Sequence, residues 1–587
     1  MAEPARSLED PITFAVIKNA MDAIVDEVAY TVIRTARSEI VKDVMDYSAA
    51  ICDAKGEMVA QAKTIAQHLG AIPEAMAAVQ AKWGEQLKDG DAVIMNDPYS
   101  GGMHLPDIFM FYPIFDGAEI LAWAVVICHH TDVGGRVPGS NAADSTEIYQ
   151  EGLRIPPLRL FRRGVMDEML EALIGLNVRV PDRVIGDLHA QYAACQVGAR
   201  EIGKLVSRYG TQTIRGYLGA LLDYAERMAR AEIATWPEGT YCFTDYIDSD
   251  GLSEDPVPLA VAVTVRGNGT LNVDWSGSSK QVRAAINSTL SFTKSNTFLS
   301  VRCALRGDIP NNAGVFRCIE VSAPEGSVLN PTSPAPVAAR ALTGYRVMDT
   351  MFGALAQIVP HIMPAAGEGG NTVVCLGGRH PDNRPFIIVD MISGCWGGRP
   401  DQDGIEAITN PSQNLSNTPV EVLERQHPVR IEDYALVPDS GGAGRFRGGL
   451  GLRRSYRLLA EEAVLQLRAD RLRFAPYGLD GGDRGRPSAN WLGEGDARRA
   501  IPGKVTMTMR KGELLTHHQA GGGGYGDPFT RVPDAVARDV WNEKVTISAA
   551  RASYGVAVDT NGKIDMVETT RLRAARFGKI EERGPAP

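Results

Sequence analysis

From residue 14 the chain sets Phe14, Ile17, Met21, Ile24, Val25, Val28, Val32 and Ile33 at three- and four-residue spacing, which predicts a long amphipathic helix over 14–37. The period then shortens. Residues 46–61 (DYSAAICDAKGEMVAQ) read as a strand, a turn at Asp53–Gly56 and a second strand, and a helix is expected from Pro73 to Trp83. Residues 108–115 (IFMFYPIF) and 120–128 (ILAWAVVIC) are rich in β-branched and aromatic side chains and are joined through Asp116-Gly117, so they predict an antiparallel hairpin. The small, polar stretch 138–157 predicts a long loop of the kind that meets a substrate, with Glu151 and Arg154 as its charged candidates. Helical spacing returns over 164–234 and ends near Trp236-Pro237-Glu238-Gly239.

Beyond 240 the period is two, with a type I′-like turn expected at Asn268-Gly269. Helices are predicted at 289–305 and 343–359, and residues 430–516 alternate as a β unit. Residues 533–575 read as a helix, a hairpin turning at Thr560-Asn561-Gly562, and another helix. A chain of 587 residues is too long for one core. The expected architecture is a multi-domain α+β fold: an N-terminal α+β domain over 1–236, a mixed α+β domain over 237–430, a β-rich domain over 431–530 and a helical tail over 531–587.

Composition narrows the partners. A net charge of −10 argues against general nucleic-acid or anionic-membrane binding, which require a basic face. No run of 18 apolar residues occurs, and residues 1–13 lack the apolar core of a signal peptide, so a soluble cytoplasmic protein is expected. The eight cysteines are dispersed without a C-x-x-C pair and read as buried, reduced thiols. The aspartates at 245, 248, 250 and 255 lack the glycine and closing glutamate of a calcium loop and read as a solvated hairpin. The glycine-rich stretches 441–451 and 520–528 carry neither G-x-x-x-x-G-K-[ST] nor a following helix pattern, so they read as tight turns and close backbone approaches instead of phosphate loops.

The candidate chemistry gathers at residues 96–135, which hold His104, Asp107, His129, His130 and Asp132 around the predicted hairpin. A turn centred near Ala118 sets Asp107 opposite His129, and strand alternation puts His129 rather than His130 on the face of Asp107. With His104 three residues before Asp107, two imidazoles and a carboxylate converge on one strand end, a donor set suited to a divalent metal with room for water. Asp46, at the mouth of the preceding strand, is either a further site carboxylate or an exposed strand-end aspartate. His68, in the constrained segment QHLGAIP, is either structural or catalytic.

Taken together, NDPYSGGMHLPD (96–107), HHTDVGG (129–135), NTPVEVLE (417–424), GRFRGGLG (444–451) and GGGGYGDP (521–528) resemble the hydantoinase B/5-oxoprolinase B-subunit family, which includes subunits of N-methylhydantoinases, caprolactamase and ketone carboxylases. The resemblance runs from about residue 12 to 575. It implies a metal-containing B subunit of an ATP-dependent hydrolase of lactams, hydantoins or 5-oxoproline, acting on a substrate O-phosphorylated by a hydantoinase A-type partner. That partner would hold ATP and magnesium, in agreement with the absent phosphate loop, and the assembly would be an A2B2 heterotetramer. Carried over, the resemblance implies Asp46, His104, Asp107 and His129 as ligands of zinc, manganese or iron, with His130 or Asp132 orienting or deprotonating a water and His68 near the site. Two other functions stay open: a subunit of an acetone- or acetophenone-type carboxylase acting on a ketone, and a non-catalytic scaffold.

Overall fold

The computed structural model describes residues 10–581. The absence of a signal-type core in 1–13 concerns residues that lie mostly outside this range. The first helix runs Pro11–Thr35, opened by Asp10, whose side chain accepts from the Ile12 amide. Its apolar stripe (Ile17, Met21, Ile24, Val25, Val28, Val32) is buried as the spacing requires.

That helix and the helix Pro181–Tyr209 pack on a seven-stranded antiparallel sheet. Its strands are β1 (Tyr47–Asp53), β2 (Met58–Gln61), β3 (Ala92–Met95), β4 (Asp107–Asp116), β5 (Glu119–His129), β6 (Leu158–Arg162) and β7 (Val165–Met166), in the order β2-β1-β5-β4-β3-β6-β7. The β4–β5 hairpin at its centre keeps one register from Asp107↔His129 to Ile114↔Ala122, then shifts by one residue before the Gly117 turn. Both faces of these central strands are buried, which is why their sequences are nearly continuous apolar runs.

A second core lies between the sheet β8 (Gly239–Ile247), β9 (Val257–Arg266), β10 (Thr270–Asp274) and β11 (Ile319–Ser322), and the helices Leu290–Ala304 and Arg340–Ile358. The β9–β10 connection differs from the expected two-residue turn: it spans Gly267, Asn268 and Gly269, and only Gly269, at φ +74°, takes the left-handed conformation. Of the aspartates between 245 and 255, Asp255 is exposed as expected, whereas the other three are held by the fold. Asp245 pairs with Arg471, Asp248 accepts the amides of Leu472, Arg473 and Phe474, and Asp250 accepts those of Leu252 and Ser253.

The third core separates two further sheets. One is β13-β12-β16-β19, formed by β12 (Val373–Arg379), β13 (Pro385–Met391), β16 (Glu462–Arg468) and β19 (Lys504–Arg510). The other is β14-β15-β20-β17-β18, formed by β14 (Val429–Leu436), β15 (Leu452–Leu458), β17 (Ala489–Leu492), β18 (Arg499–Ala500) and β20 (Leu514–His518). Segments 237–430 and 431–530 therefore share a sheet. Alternation lets β12 serve two cores, with Val373 and Cys375 packing into the first and Val374 and Leu376 into the third. The glycine-rich stretches stack main chain on main chain against this unit: the Gly442 amide donates to Gly522 O at 2.8 Å, and a Cβ on Gly448 would lie 1.9 Å from that same oxygen. The tail comprises helices Pro533–Trp541, Ile547–Tyr554 and Met566–Glu581 with a two-strand hairpin, β21 (Ala557–Val558) and β22 (Ile564–Asp565).

All eight cysteines are free, and six of them are buried. Among the described residues no helix is long and apolar enough to cross a membrane.

Candidate metal centre

The hairpin places its open end against the start of the Arg340–Ile358 helix. His104, Asp107 and His129 converge there, each almost wholly inaccessible to solvent, and one donor atom from each lies within 4.8 Å of the others. The register Asp107↔His129 and the tilted approach of the His104 and His129 rings, 5.0 Å between centroids, follow from the strand alternation that separates His129 from His130. His104 Nδ1 meets Ala338 O at 3.0 Å, and a carbonyl only accepts, so Nδ1 carries the proton and Nε2 presents its lone pair to the cluster. His104 Nε2 stands 3.2 Å from Asp107 Oδ1, yet neither atom has a partner in hydrogen-bond geometry. Both nitrogens of His129 are likewise buried without partners. Orphaned acceptors facing one another are costly. A cation bound by His104 Nε2, Asp107 Oδ1 and the unprotonated nitrogen of His129 would satisfy three of them at once.

Protonation favours the same reading. Burial, with Arg340 as the next influence, lowers His104 to about 4. Burial lowers His68 to about 4, and burial followed by the field of His104 takes His129 well below the imidazole range. Neutral imidazoles are the ligating form. Burial opposes ionisation of Asp107, but His104 and the Arg340 guanidinium outweigh it and hold the carboxyl well below its ordinary value. Since His104 is itself neutral, Arg340, paired with Asp107 Oδ2, is the partner that persists.

Asp46 and His68 complete the cluster's edge. His68 Nε2 lies 3.8 Å from Asp46 Oδ1 and 3.9 Å from Asp107 Oδ2. Ser48 Oγ spends its hydrogen on Ile65 O at 2.8 Å, so it accepts from His68 Nδ1 at 3.1 Å, and the lone pair of Nε2 faces the two carboxylates. Asp46 is buried, not exposed. It lies outside the His104–Asp107–His129 set, its Oδ1 has no partner, and burial together with the Asp107 charge pushes it up to about 8.

His130 and Asp132 are placed elsewhere. Gln191 Nε2 donates to Ile108 O and Val126 O, so its Oε1 accepts from His130 Nε2 at 3.1 Å, and the imidazole faces the Pro181–Tyr209 helix. Asp132 accepts from the amides of Gly139 (2.9 Å) and Arg179 (2.7 Å) and pairs with the Arg179 guanidinium, pinning the following loop. Glu151, a substrate-facing candidate by sequence, is buried and accepts the amides of Val337 and Ala338 at 2.8 and 2.9 Å, while Arg154 lies 3.6 Å from Asp97.

Sequence reasoning passed over Arg340 and Ser48. The available signal for Arg340 was a lone charge in the apolar run PAPVAARALTG (334–344).

Comparison with known proteins gives the geometry a context. Residues 10–528 match the family described as hydantoinase B/oxoprolinase. The chain is 34% identical to the beta subunit of the caprolactamase of Pseudomonas jessenii, over 96% of this chain and 99% of that one. It is 31% identical to the B subunit of a putative D-/L-hydantoinase of a Pseudomonas species, over 96% and 98% of the two chains. The crystal structure of the ATP-dependent caprolactamase from Pseudomonas jessenii superposes with a TM-score of 0.89 at 33% identity, covering 96% of this chain and 99% of that one. A nucleotide-free acetone carboxylase structure shares the fold, at a TM-score of 0.91 and 19% identity, with 99% and 84% of the chains covered. With its match running almost from end to end, the chain belongs to the hydantoinase B/oxoprolinase family.

Proposed function

We propose that this chain is the metal-containing B subunit of an ATP-dependent hydrolase of cyclic amides, acting on a lactam, hydantoin or oxoproline ring that an A-type partner has O-phosphorylated. One observation supports the reading: two buried, neutral imidazoles and an ionised carboxylate bring partnerless donor atoms within 4.8 Å of one another. The names of the relatives, the beta chain of a caprolactamase and the B chain of a hydantoinase, supply the substrate class and the need for a second chain.

His104, Asp107 and His129 would hold the ion, with Asp46 as the fourth donor, and zinc is the ion that suits this mixed N/O set best, ahead of manganese or iron. Bound there, a divalent ion supplies Lewis acidity that polarises a substrate oxygen and acidifies water. The remaining work belongs to the chain. Arg340 keeps Asp107 ionised, and Ala338 O fixes the tautomer of His104. His68 is the proton acceptor in this reading, because its Nε2 lone pair faces the cluster whereas His130 and Asp132 are committed to Gln191 and to Arg179 with its loop. An amide is a poor electrophile until its resonance is broken, and O-phosphorylation supplies both that activation and a leaving group.

The test is co-expression with an A-type chain, metal analysis of the purified complex, and a screen of ATP consumption against caprolactam, 5-oxoproline, hydantoins and ketones with labelled bicarbonate present. Ring opening with a bound divalent metal is expected. Incorporation of label into a ketone without ring opening would replace the hydrolase with a carboxylase. Full turnover by an Asp107→Ala complex would make the chain a scaffold.

A further inference from the structure

Seven arginine side chains are buried among the described residues, and six of them have a carboxylate ion partner, as in Arg346–Asp470 at 2.7 Å and Arg471–Asp349 at 2.6 Å. Arg468, 3% exposed, has none. An unpaired guanidinium taken out of water is among the most expensive groups a fold can retain. Its retention calls for an explanation, and the surroundings provide one.

Arg468 ends β16, where Leu465 and Leu467 point into the third core. Alternation therefore turns Gln466 and Arg468 to the other face, toward residues 138–141 of the long loop. Gln466 Nε2 donates to Pro138 O at 2.7 Å, and Arg468 Nη1 donates to Asn141 Oδ1 at 3.2 Å and Ala338 O at 3.4 Å. Ala338 O is the carbonyl that also fixes His104, so the guanidinium stands one carbonyl away from a residue of the metal cluster. The charged groups whose fields reach it, Arg340 and Asp46, oppose one another. Burial lowers Arg468 only to about 10, so it is a cation at neutral pH.

A guanidinium has five N–H donors. Among the described residues only Nη1 of Arg468 has acceptors, and Nε is buried without any. The unused Nε–Nη2 edge is the one that matches two oxygens of a carboxylate or phosphate side by side.

We propose that Arg468 receives an oxyanion of the substrate, namely the phosphoryl group of the activated ring, and holds it beside the His104–Asp107–His129 cluster. This rests on the phosphorylated-substrate reading above. The same edge would take a substrate carboxylate, and the test separates the two.

Inorganic phosphate and, in a second arm, acetate are titrated calorimetrically into the purified full-length chain at constant ionic strength, with and without metal. Wild type, Arg468→Met and Arg468→Lys are compared, and the titrations require neither ATP nor turnover. Phosphate is expected to bind wild type more tightly than acetate does, to bind Arg468→Met roughly tenfold more weakly or worse, and to bind Arg468→Lys in between, because lysine keeps the charge and loses the fork. Equal phosphate affinity in wild type and Arg468→Met, no phosphate binding to wild type, or a preference for acetate would each overturn the proposal. Should Arg468→Met fail to fold by circular dichroism, the wild-type titrations and Arg468→Lys decide alone. Phosphate binding through Arg468 in a protein whose complex opens no ring would leave this inference standing and remove the cyclic-amide reading.

Discussion

Replacing Asp107 by Asn keeps the side-chain volume and removes one charge, and two consequences are separable. Asp107 and Arg340 are both buried and paired, and unpairing a buried ion typically costs about 3–5 kcal/mol. Arg340 keeps its stacking on the Phe292 ring, 4.3 Å to the centroid, which offsets up to about 2 kcal/mol in a desolvated setting. The chelated protein should therefore lose about 1–3 kcal/mol. Bound metal, equimolar in wild type, should fall to background, since the carboxylate is the only ionised donor in the three-residue set. Arg340→Met breaks the same pair from its other end and leaves the donors in place. In that variant metal should be retained, and the stability loss should be smaller in the loaded protein, where the ion compensates Asp107, than after chelation. Elemental analysis by mass spectrometry and urea unfolding with and without chelator read both quantities. Equimolar metal in Asp107→Asn, or equal loss of metal in both variants, would refute the assignment of these side chains as ligands.

Three further outcomes are expected. His68→Gln in the reconstituted complex should lower kcat by about 10²–10⁴ with metal content unchanged, because its Nε2 faces the carboxylates without belonging to the three-donor set. Glu151 is raised by burial from 4.5 to about 8, so the folded state holds a proton that the unfolded state releases; stability is then full below about pH 4.5 and falls as pH rises to 8, by at most roughly 5 kcal/mol at about 1.4 kcal/mol per unit. Glu151→Gln, which preserves an acceptor for the Val337 and Ala338 amides, should flatten that slope and raise the melting temperature at pH 9 relative to wild type. Gly523→Ala would put its Cβ 1.9 Å from Tyr477 O, a main-chain contact that cannot rotate away, and should give insoluble chain or a melting temperature lowered by several degrees; wild-type solubility and melting would contradict the packing.

What was legible in the sequence is what short-range geometry decides. Strand alternation about a turn centred near Ala118 set Asp107 opposite His129 and turned His130 away; the observed Gly117-Ala118 turn alone would have paired Asp107 with Cys128, and the one-residue shift between Ile114 and Phe115 restores the expected register. The amphipathic first helix and the backbone-stacking role of the glycines were legible for the same reason: each is a rule about neighbours. The β9–β10 turn misled because Asn-Gly is equally at home in a three-residue connection closed by a left-handed glycine. Glu151 misled because a charge in a polar loop says nothing about whether two amides of a distant segment will meet it. The aspartates at 245 and 248 misled in the same way, since Arg471 and the amides after it arrive from more than 200 residues downstream.

The residues that set the chemistry of the cluster belong to this second, illegible kind. His104, Asp107 and His129 come from a single hairpin, but Asp107 stays ionised through Arg340 and His104 keeps its tautomer through Ala338, both at the start of a helix of the second core. Arg468 reaches the same carbonyl from a strand of the third. A donor set whose charge states are fixed from three cores is complete only when those cores are docked. Metal affinity should accordingly report docking: a substitution such as Gln466→Ala, which removes only the bond to Pro138 O between β16 and the long loop, should weaken metal binding without touching a ligand. Competition with a chromogenic chelator measures this directly, and an unchanged metal affinity in a variant whose loop becomes protease-sensitive would show that the hairpin holds its ion unaided.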